Sequence, residues 1–339
     1  MLCKNRKSSR QNRKRSVLFV LAIAFQLSAL AVLATPSEAF AQLPGEWGNY
    51  IPENDGGQNL SMTGAFSEAR NGGHLLRAWR GADNQVWMSV DNGNAFTIGV
   101  TQTFVPPAVV AFGPSDFLCF HTGTDGTIWL TGINTLGSTV DFGDSWFSVP
   151  GNTTNMGVSV VQMFPGPDEN SFDVYMVYRG LGNDQRVWGT WLDFEGNWST
   201  PENISGGLGN SSPAISLNPV SNRLTVTVAG TDNQLWMTSQ ALGAHGWNSW
   251  TPMGVDTFDT PHSAACSNGN MVVSIRDINS RPEFAKFDAW GNQQSGFSVD
   301  TTGWQTNWAV QLTANGNSVY SLFNGFDTLG YWKQVYDCN

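Results

Sequence analysis

The chain has 339 residues, and its 27 acidic side chains outnumber its 17 basic ones, for a formal net charge of −10. An acidic chain repels phosphate backbones and anionic lipid surfaces, so the composition argues against nucleic acid as a partner. The 37 glycines and 15 prolines, with no helical periodicity after the first forty residues, are typical of many short strands joined by turns.

Residues 1–41 have the pattern of a signal peptide. Seven Lys and Arg precede an apolar run from Val17 to Ala34, and alanines at 39 and 41 fit cleavage before Gln42. A membrane anchor is the alternative, because the run is about long enough to span a bilayer. Cleavage leaves residues 42–339 with ten bases against twenty-six acids. We expect a secreted or periplasmic protein with no membrane span after cleavage.

Cysteines are few for an exported protein. Cys3 lies in the leader, and Cys119, Cys266 and Cys338 remain. An odd number cannot all pair within one chain, and the sequence leaves open which are free. No CxxC pair or Cys/His spacing is present, so we predict neither a structural zinc site nor a cofactor.

The main signal is an internal repeat. GADNQVWMSV at residues 81–90 returns as GTDNQLWMTS at residues 230–239. Fainter copies begin at Gly123, Gly182 and Phe323, with a degraded one from Arg276. A period of roughly 40–50 residues is typical of propellers and solenoids.

One repeat has the pattern of four short antiparallel strands. Leu224, Val226 and Val228 alternate as in a half-buried strand, Asp232 and Asn233 form a tight turn, and an apolar–Trp strand returns. SPAISL lies upstream and GWNSWTPMG downstream, which gives four strands. That arrangement describes one propeller blade.

The repeat predicts an all-β, six-bladed β-propeller in one domain, residues 42–339. The small residue of each first strand marks the blades, at Ala65, Ala108, Ser159, Ala214, Ala264 and Ala309. The last unit has only three strands, while WGNYIP from Trp47 repeats the pattern of WNSWTP from Trp247. We therefore predict that the N-terminal strand completes the last blade, which removes an exposed sheet edge. Trp47 and Tyr50 would then correspond to Trp247 and Trp250.

With the unit written as GTDNQLW, strand, GWNSW, the chain resembles the tectonin and Photorhabdus-type propeller lectins. Only the fourth blade, with Gly230–Trp236 and Gly246–Trp250, matches throughout. The resemblance implies non-covalent binding of fucose or related, often methylated, sugars in clefts between blades. The partners would be glycans or glycoconjugates, bound through several weak sites and best at the fourth blade and its neighbours.

Two other functional classes stay open. SVDNGNAF from Ser89 and TVDFGDSW from Thr139 fit the Asp-box of sialidase-like propellers, a rim turn without a catalytic role in those enzymes. A glycoside hydrolase also needs two poised carboxylates, and no such pair stands out. We therefore predict a protein that is not an enzyme, with a sialidase-like hydrolase or a protein-interaction propeller as alternatives.

Candidate ligand residues recur at equivalent blade positions. They are three arginines, four tryptophans after the hairpin turn, and four tryptophans of the outer strand: Arg80, Arg179, Arg276; Trp87, Trp129, Trp188, Trp236; Trp146, Trp198, Trp247, Trp250. The tryptophans can stack on sugars or pack blade against blade. The arginines can donate to sugar hydroxyls or pair with neighbouring acids. The turn acids Asp83, Asp125, Asp184 and Asp232 are expected to cap their own hairpins.

Overall fold

A computed structural model describes residues 51–52, 62–113, 116–134, 145–163, 173–193, 195–244, 246–299, 305–324 and 331–339. The predicted signal peptide, Trp47 and Tyr50 lie outside these residues. The described part of the chain forms twenty-three β-strands and no helix. Accordingly, it contains no helix of the length and apolarity needed to span a membrane.

The strands form six antiparallel sheets, each a blade. Blades 1 to 3 comprise β2 (Met62–Asn71), β3 (His74–Gly81) and β4 (Val86–Val90); β5 (Ala108–Phe112), β6 (Asp116–Thr122), β7 (Thr127–Asn134) and β8 (Phe147–Thr153); β9 (Ser159–Met163), β10 (Asp173–Arg179), β11 (Arg186–Leu192) and β12 (Glu202–Leu208). Blades 4 to 6 comprise β13 (Ala214–Asn218), β14 (Arg223–Ala229), β15 (Gln234–Ala241) and β16 (Thr251–Asp256); β17 (His262–Ala265), β18 (Met271–Arg276), β19 (Pro282–Phe287) and β20 (Gln293–Val299); β21 (Gln311–Asn315), β22 (Ser318–Asn324), β23 (Tyr331–Asp337) and β1 (Ile51–Pro52).

The six blades close into a ring. Their first strands contact one another in the cycle β2, β5, β9, β13, β17, β21 and back to β2. The N-terminal strand β1 pairs with β23, Ile51 opposite Lys333, and so supplies the outer strand of the last blade. The predicted six-bladed propeller and its closure by the N-terminal strand are both confirmed. Ala309 lies two residues before its first strand, whereas the other five markers lie within theirs.

The second strand of a blade is buried on both faces, because a neighbouring blade packs on each side of it. Along β14, Leu224, Val226 and Val228 are at most 2 % exposed, and the intervening Thr225 and Thr227 are also buried. The sequence had suggested a half-buried strand. The threonines tolerate burial because they are small and β-branched, and they keep the polar/apolar alternation in the sequence.

Blade 1 departs from the predicted four-stranded pattern. It has three strands, and the segment after β4 makes only three single bridges, Met88 with Phe96, Gln85 with Gln102, and Thr103 with Gly123 of blade 2. The chain turns at Asp91 and Asn92, both with positive φ, and the Asp91 carboxylate accepts a hydrogen bond from the Leu75 amide at 2.8 Å. The first Asp-box-like stretch is therefore a structural turn. Residues 139–144 of the second lie outside the described part.

A disulfide joins Cys266, after the first strand of blade 5, to Cys338 at the end of blade 6. Cys119 is unpaired and wholly buried in β6, where burial raises the pKa of its thiol well above the ordinary range. The odd cysteine is thus an inert core residue.

Candidate functional site

The repeated hairpin is held by its turn carboxylate. Asp232 Oδ1 accepts hydrogen bonds from the Gln234 amide at 3.1 Å and from the Trp236 indole at 3.0 Å. Asp83 makes the same pair of bonds in its own hairpin, and Asp184 accepts from the Trp188 indole at 3.0 Å. The hydrogen bond from Trp236 is the main cause of a lowered Asp232 pKa. These acids cap their hairpins and fix the following tryptophan.

The motif glycine leaves room for this Asp–Trp pair. A Cβ on Gly230 would lie 2.6 Å from both Asp232 Oδ1 and Trp236 Cδ1. Gly81 and Gly123 face the same close contacts with their own aspartate and tryptophan. The Gly-x-Asp-x-x-x-Trp pattern is therefore a requirement of the hairpin itself, whether or not a ligand binds beside it.

The four tryptophans after the turns are half-buried and face the preceding blade. Trp87 packs on the cluster of Phe66, Trp79 and Leu322, which joins blade 1 to blade 6. Trp188 packs on the core between blades 2 and 3, and Trp236 packs on the core between blades 3 and 4. Packing between blades is thus one role of these residues. Trp129 differs because it lines an open cleft, which we call cleft A.

The outer tryptophans lie just before the fourth strands of blades 2 to 4 and contact the neighbouring blade. The indole N–H groups of Trp146 and Trp250 donate to the Ile98 and Ile204 carbonyls at 2.8 and 2.9 Å. Two others make different contacts: Trp247 donates to Glu202 Oε1 at 3.2 Å, and Trp198 lies edge-on to Phe120.

The three arginines contact the connections between blades. Arg80 donates to the Phe104 carbonyl. Arg179, only 6 % exposed, donates to the Gly209 carbonyl at 2.8 Å, and Arg276 pairs with Asp259 at 3.1 Å. Structural contacts therefore engage all three, and for Arg276 the contact is the ion pair considered from the sequence.

Cleft A lies between blades 1 and 2 and has a volume of about 560 Å³. Blade 1 contributes the irregular segment 99–102, and blade 2 contributes Trp129, Trp146, Asp125 and His121. The Trp146 ring stands edge-on to the His121 ring, with centroids 4.4 Å apart. Two predicted tryptophans therefore come together on one cleft with groups able to form hydrogen bonds.

Buried polar atoms line cleft A. His121 is 3 % exposed, and its ring nitrogens and Thr101 Oγ1 make no hydrogen bond of good geometry within the described residues, although the Thr122 backbone interacts with the ring. Burial lowers the pKa of His121 to about 4, so at neutral pH its ring offers one donor and one acceptor. An unsatisfied buried polar group costs about 1–3 kcal/mol.

Asp125 adds a charged wall to cleft A. Its carboxylate accepts from the Thr127 amide and hydroxyl, both at 2.9 Å, and the amide bond is the main cause of its lowered pKa. The side chain is therefore ionised and held in place.

Sequence reasoning missed His121, Thr101 and Gln102 as lining residues of cleft A. The hairpin register, which places His121 opposite Trp129, was the feature that could have indicated His121 as a lining residue.

At the fourth blade the equivalent tryptophan is covered. A Cβ on Gly207 of β12 would lie 2.3 Å from Trp250 Nε1, so the backbone of blade 3 lies directly against that indole. The blade with the most complete motif therefore holds its outer tryptophan against the bulged strand β12 of blade 3, whereas Trp146 lines a cleft.

Comparison with known proteins shows the fold. No known protein family matches the chain, and no curated protein matches it. Among solved structures, the Aleuria aurantia lectin in complex with Fucα1-6GlcNAc has a TM-score of 0.57 at 12 % identity, over 82 % of this chain and 98 % of its own. A protein of unknown function from Dyadobacter fermentans has a TM-score of 0.60 at 12 % identity, over 87 % of this chain and all of its own.

The Burkholderia pseudomallei lectin BP39L is also similar, with a TM-score of 0.55 at 18 % identity over 70 % of each chain. Such low identities support a shared architecture, and the Aleuria aurantia lectin is described as a six-bladed propeller. The narrower resemblance to tectonin-type lectins stays a prediction.

Proposed function

We propose that this protein is a secreted, non-enzymatic lectin and that cleft A is its principal carbohydrate site. The carrying observation is that Trp129 and Trp146 share the cleft with the Asp125 carboxylate, which the Thr127 amide and hydroxyl hold in place. Pyranoses present an apolar C–H face and a rim of hydroxyls, so indole surface beside a fixed carboxylate acceptor suits them. Fucose and its relatives are the first candidates, because lectins of similar fold form complexes with Fucα1-6GlcNAc and with α-methyl fucoside.

A glycan array with the purified chain tests the proposal, with mass spectrometry of the same glycans for released sugar. Binding without release, competed by a free monosaccharide, would support a lectin and identify the sugar. Release would favour the hydrolase, and silence in both assays would favour a protein-interaction propeller.

A pair of variants locates the site. Trp146→Ala removes an indole from cleft A and is expected to weaken sugar binding at least tenfold. Trp250→Ala removes an indole with the same inter-blade hydrogen bond but is expected to leave affinity nearly unchanged. Equal losses in both variants would refute the assignment to cleft A, and thermal melts check that each variant folds.

A further inference from the structure

A second cavity, which we call cleft B, lies between blades 3 and 4. It is lined by Met163, Asp173, Tyr175, Trp191 and Glu202 from blade 3, and by Asn222, Leu224 and residues 240–244 and 246 from blade 4. Its position is at the opposite end of β14 from the Asp232 turn. The volume of about 660 Å³ suits a small organic ligand.

One wall of cleft B is aromatic. Trp191 is 40 % exposed although it is large and apolar, and its ring stacks with Tyr175 at a centroid distance of 6.4 Å and an interplanar angle of 24°. A Cβ on Gly189 would lie 2.2 Å from the Tyr175 hydroxyl, so the glycine leaves the space that this hydroxyl occupies. The aromatic pair is therefore held by the backbone of the strand beneath it.

The cleft also contains two carboxylates. Glu202 Oε1 accepts hydrogen bonds from the Tyr175 hydroxyl at 2.5 Å and from the Trp247 indole at 3.2 Å. Among the described residues no hydrogen bond reaches Glu202 Oε2, which leaves that oxygen available to a ligand. Asp173 is the second carboxylate and is only 3 % exposed.

The lining residues of cleft B that the structure describes include no Lys, Arg or His beside Glu202. A carboxylate beside an accessible indole attracts positive charge and repels anionic sugars.

We infer that cleft B binds a small organic cation, with an ammonium group placed over Trp191 and beside Glu202. The indole face interacts favourably with primary and quaternary ammonium ions, and the carboxylate adds Coulomb attraction where burial weakens solvent screening. The apolar side chains of Met163, Leu224 and Leu242 suit the hydrocarbon part of such a ligand. The inference does not rest on sugar binding in cleft A.

Calorimetric titrations at pH 8 with matched ligand pairs test the inference. The first pair is choline and its neutral isostere 3,3-dimethylbutan-1-ol. The second pair is glucosamine, part of which is protonated at this pH, and glucose. We expect at least one cation to bind at least tenfold more tightly than its neutral counterpart. A preference within the choline pair indicates a quaternary ammonium, and a preference within the glucosamine pair indicates a primary ammonium. Equal affinity within both pairs, or no binding of either cation at ten-millimolar concentration, would overturn the inference.

Variants locate the cation. Trp191→Ala and Glu202→Gln are each expected to weaken its binding at least tenfold; the glutamine oxygen can still accept from Tyr175 and Trp247. The matched control is Trp290→Ala, because Trp290 is 66 % exposed in blade 5. Trp146→Ala in cleft A should also leave cation affinity unchanged. A loss in the controls equal to that in Trp191→Ala would refute the site, and the wild-type ligand pairs decide the matter if a variant fails to fold.

Discussion

His121 should make the stability of the fold depend on pH in a window set by its burial. Its pKa is lowered to about 4 because the ring is 3 % exposed in β6. In the unfolded chain the ring takes up a proton near pH 6.5. Between those values the unfolded state binds more protons than the folded state, so stability falls as the pH falls. At pH 4.5 the expected loss is about 2.5 kcal/mol relative to pH 7.

The assay is urea unfolding followed by tryptophan fluorescence at pH 7 and pH 4.5, for the wild type and His121→Phe. Phenylalanine keeps an aromatic ring against Trp146 and cannot titrate. His262, whose pKa burial also lowers to about 4, and the turn carboxylates contribute in both proteins, so the difference isolates His121. The wild type should lose about 2.5 kcal/mol more than the variant. Equal losses in the two proteins would refute the reasoning.

Three further perturbations address the repeat, the disulfide between blades 5 and 6, and the outer tryptophans. Gly230→Ala places a methyl group 2.6 Å from the turn carboxylate and should lower the free energy of unfolding by about 1–3 kcal/mol in urea melts, whereas Gly296→Ala, with no neighbour within 4 Å, should change little. Cys338→Ala opens a disulfide that spans 72 residues and should cost about 4 kcal/mol, with no further loss on adding reductant. Trp247→Ala, between blades 3 and 4, should leave glycan binding nearly unchanged and lower the midpoint of the thermal melt, because it removes a packed indole and its hydrogen bond to Glu202; lost glycan binding with an unchanged melt would place a sugar site at the fourth blade instead.

The repeat made the fold predictable because its spacing follows from local chemistry. Each hairpin needs a glycine, a turn carboxylate and a tryptophan at fixed offsets, and Gly230 and Asp232 show why. The pattern at Trp47 likewise predicted that the N-terminal strand would pair with the last blade, as Ile51 does with Lys333. These are short-range rules, and they remain visible in a single sequence.

The clefts were less predictable because they depend on contacts between blades. His121 and Trp191 belong to no repeated motif, and their environment is set by residues that are distant in sequence. The cysteine pairing was also left open, since Cys266 and Cys338 meet only once blades 5 and 6 are adjacent. Periodicity identifies the positions shared by the blades, whereas a ligand site depends on what differs between them.

Cleft A illustrates this difference. The positive φ values at Asp91 and Asn92 turn the chain of blade 1 away after β4, and only single bridges follow. The segment that should have been a fourth strand is irregular at residues 99–102, and Trp146 borders open space there. In blade 3 the fourth strand β12 continues through a bulge around Ser205 and Gly206 and lies against Trp250. A complete repeat therefore covers its tryptophan with backbone, and an interrupted repeat leaves a tryptophan accessible. For this reason we expect the strongest sugar binding beside blade 1, where the pattern is broken, and not at the fourth blade, where the sequence motif is most complete.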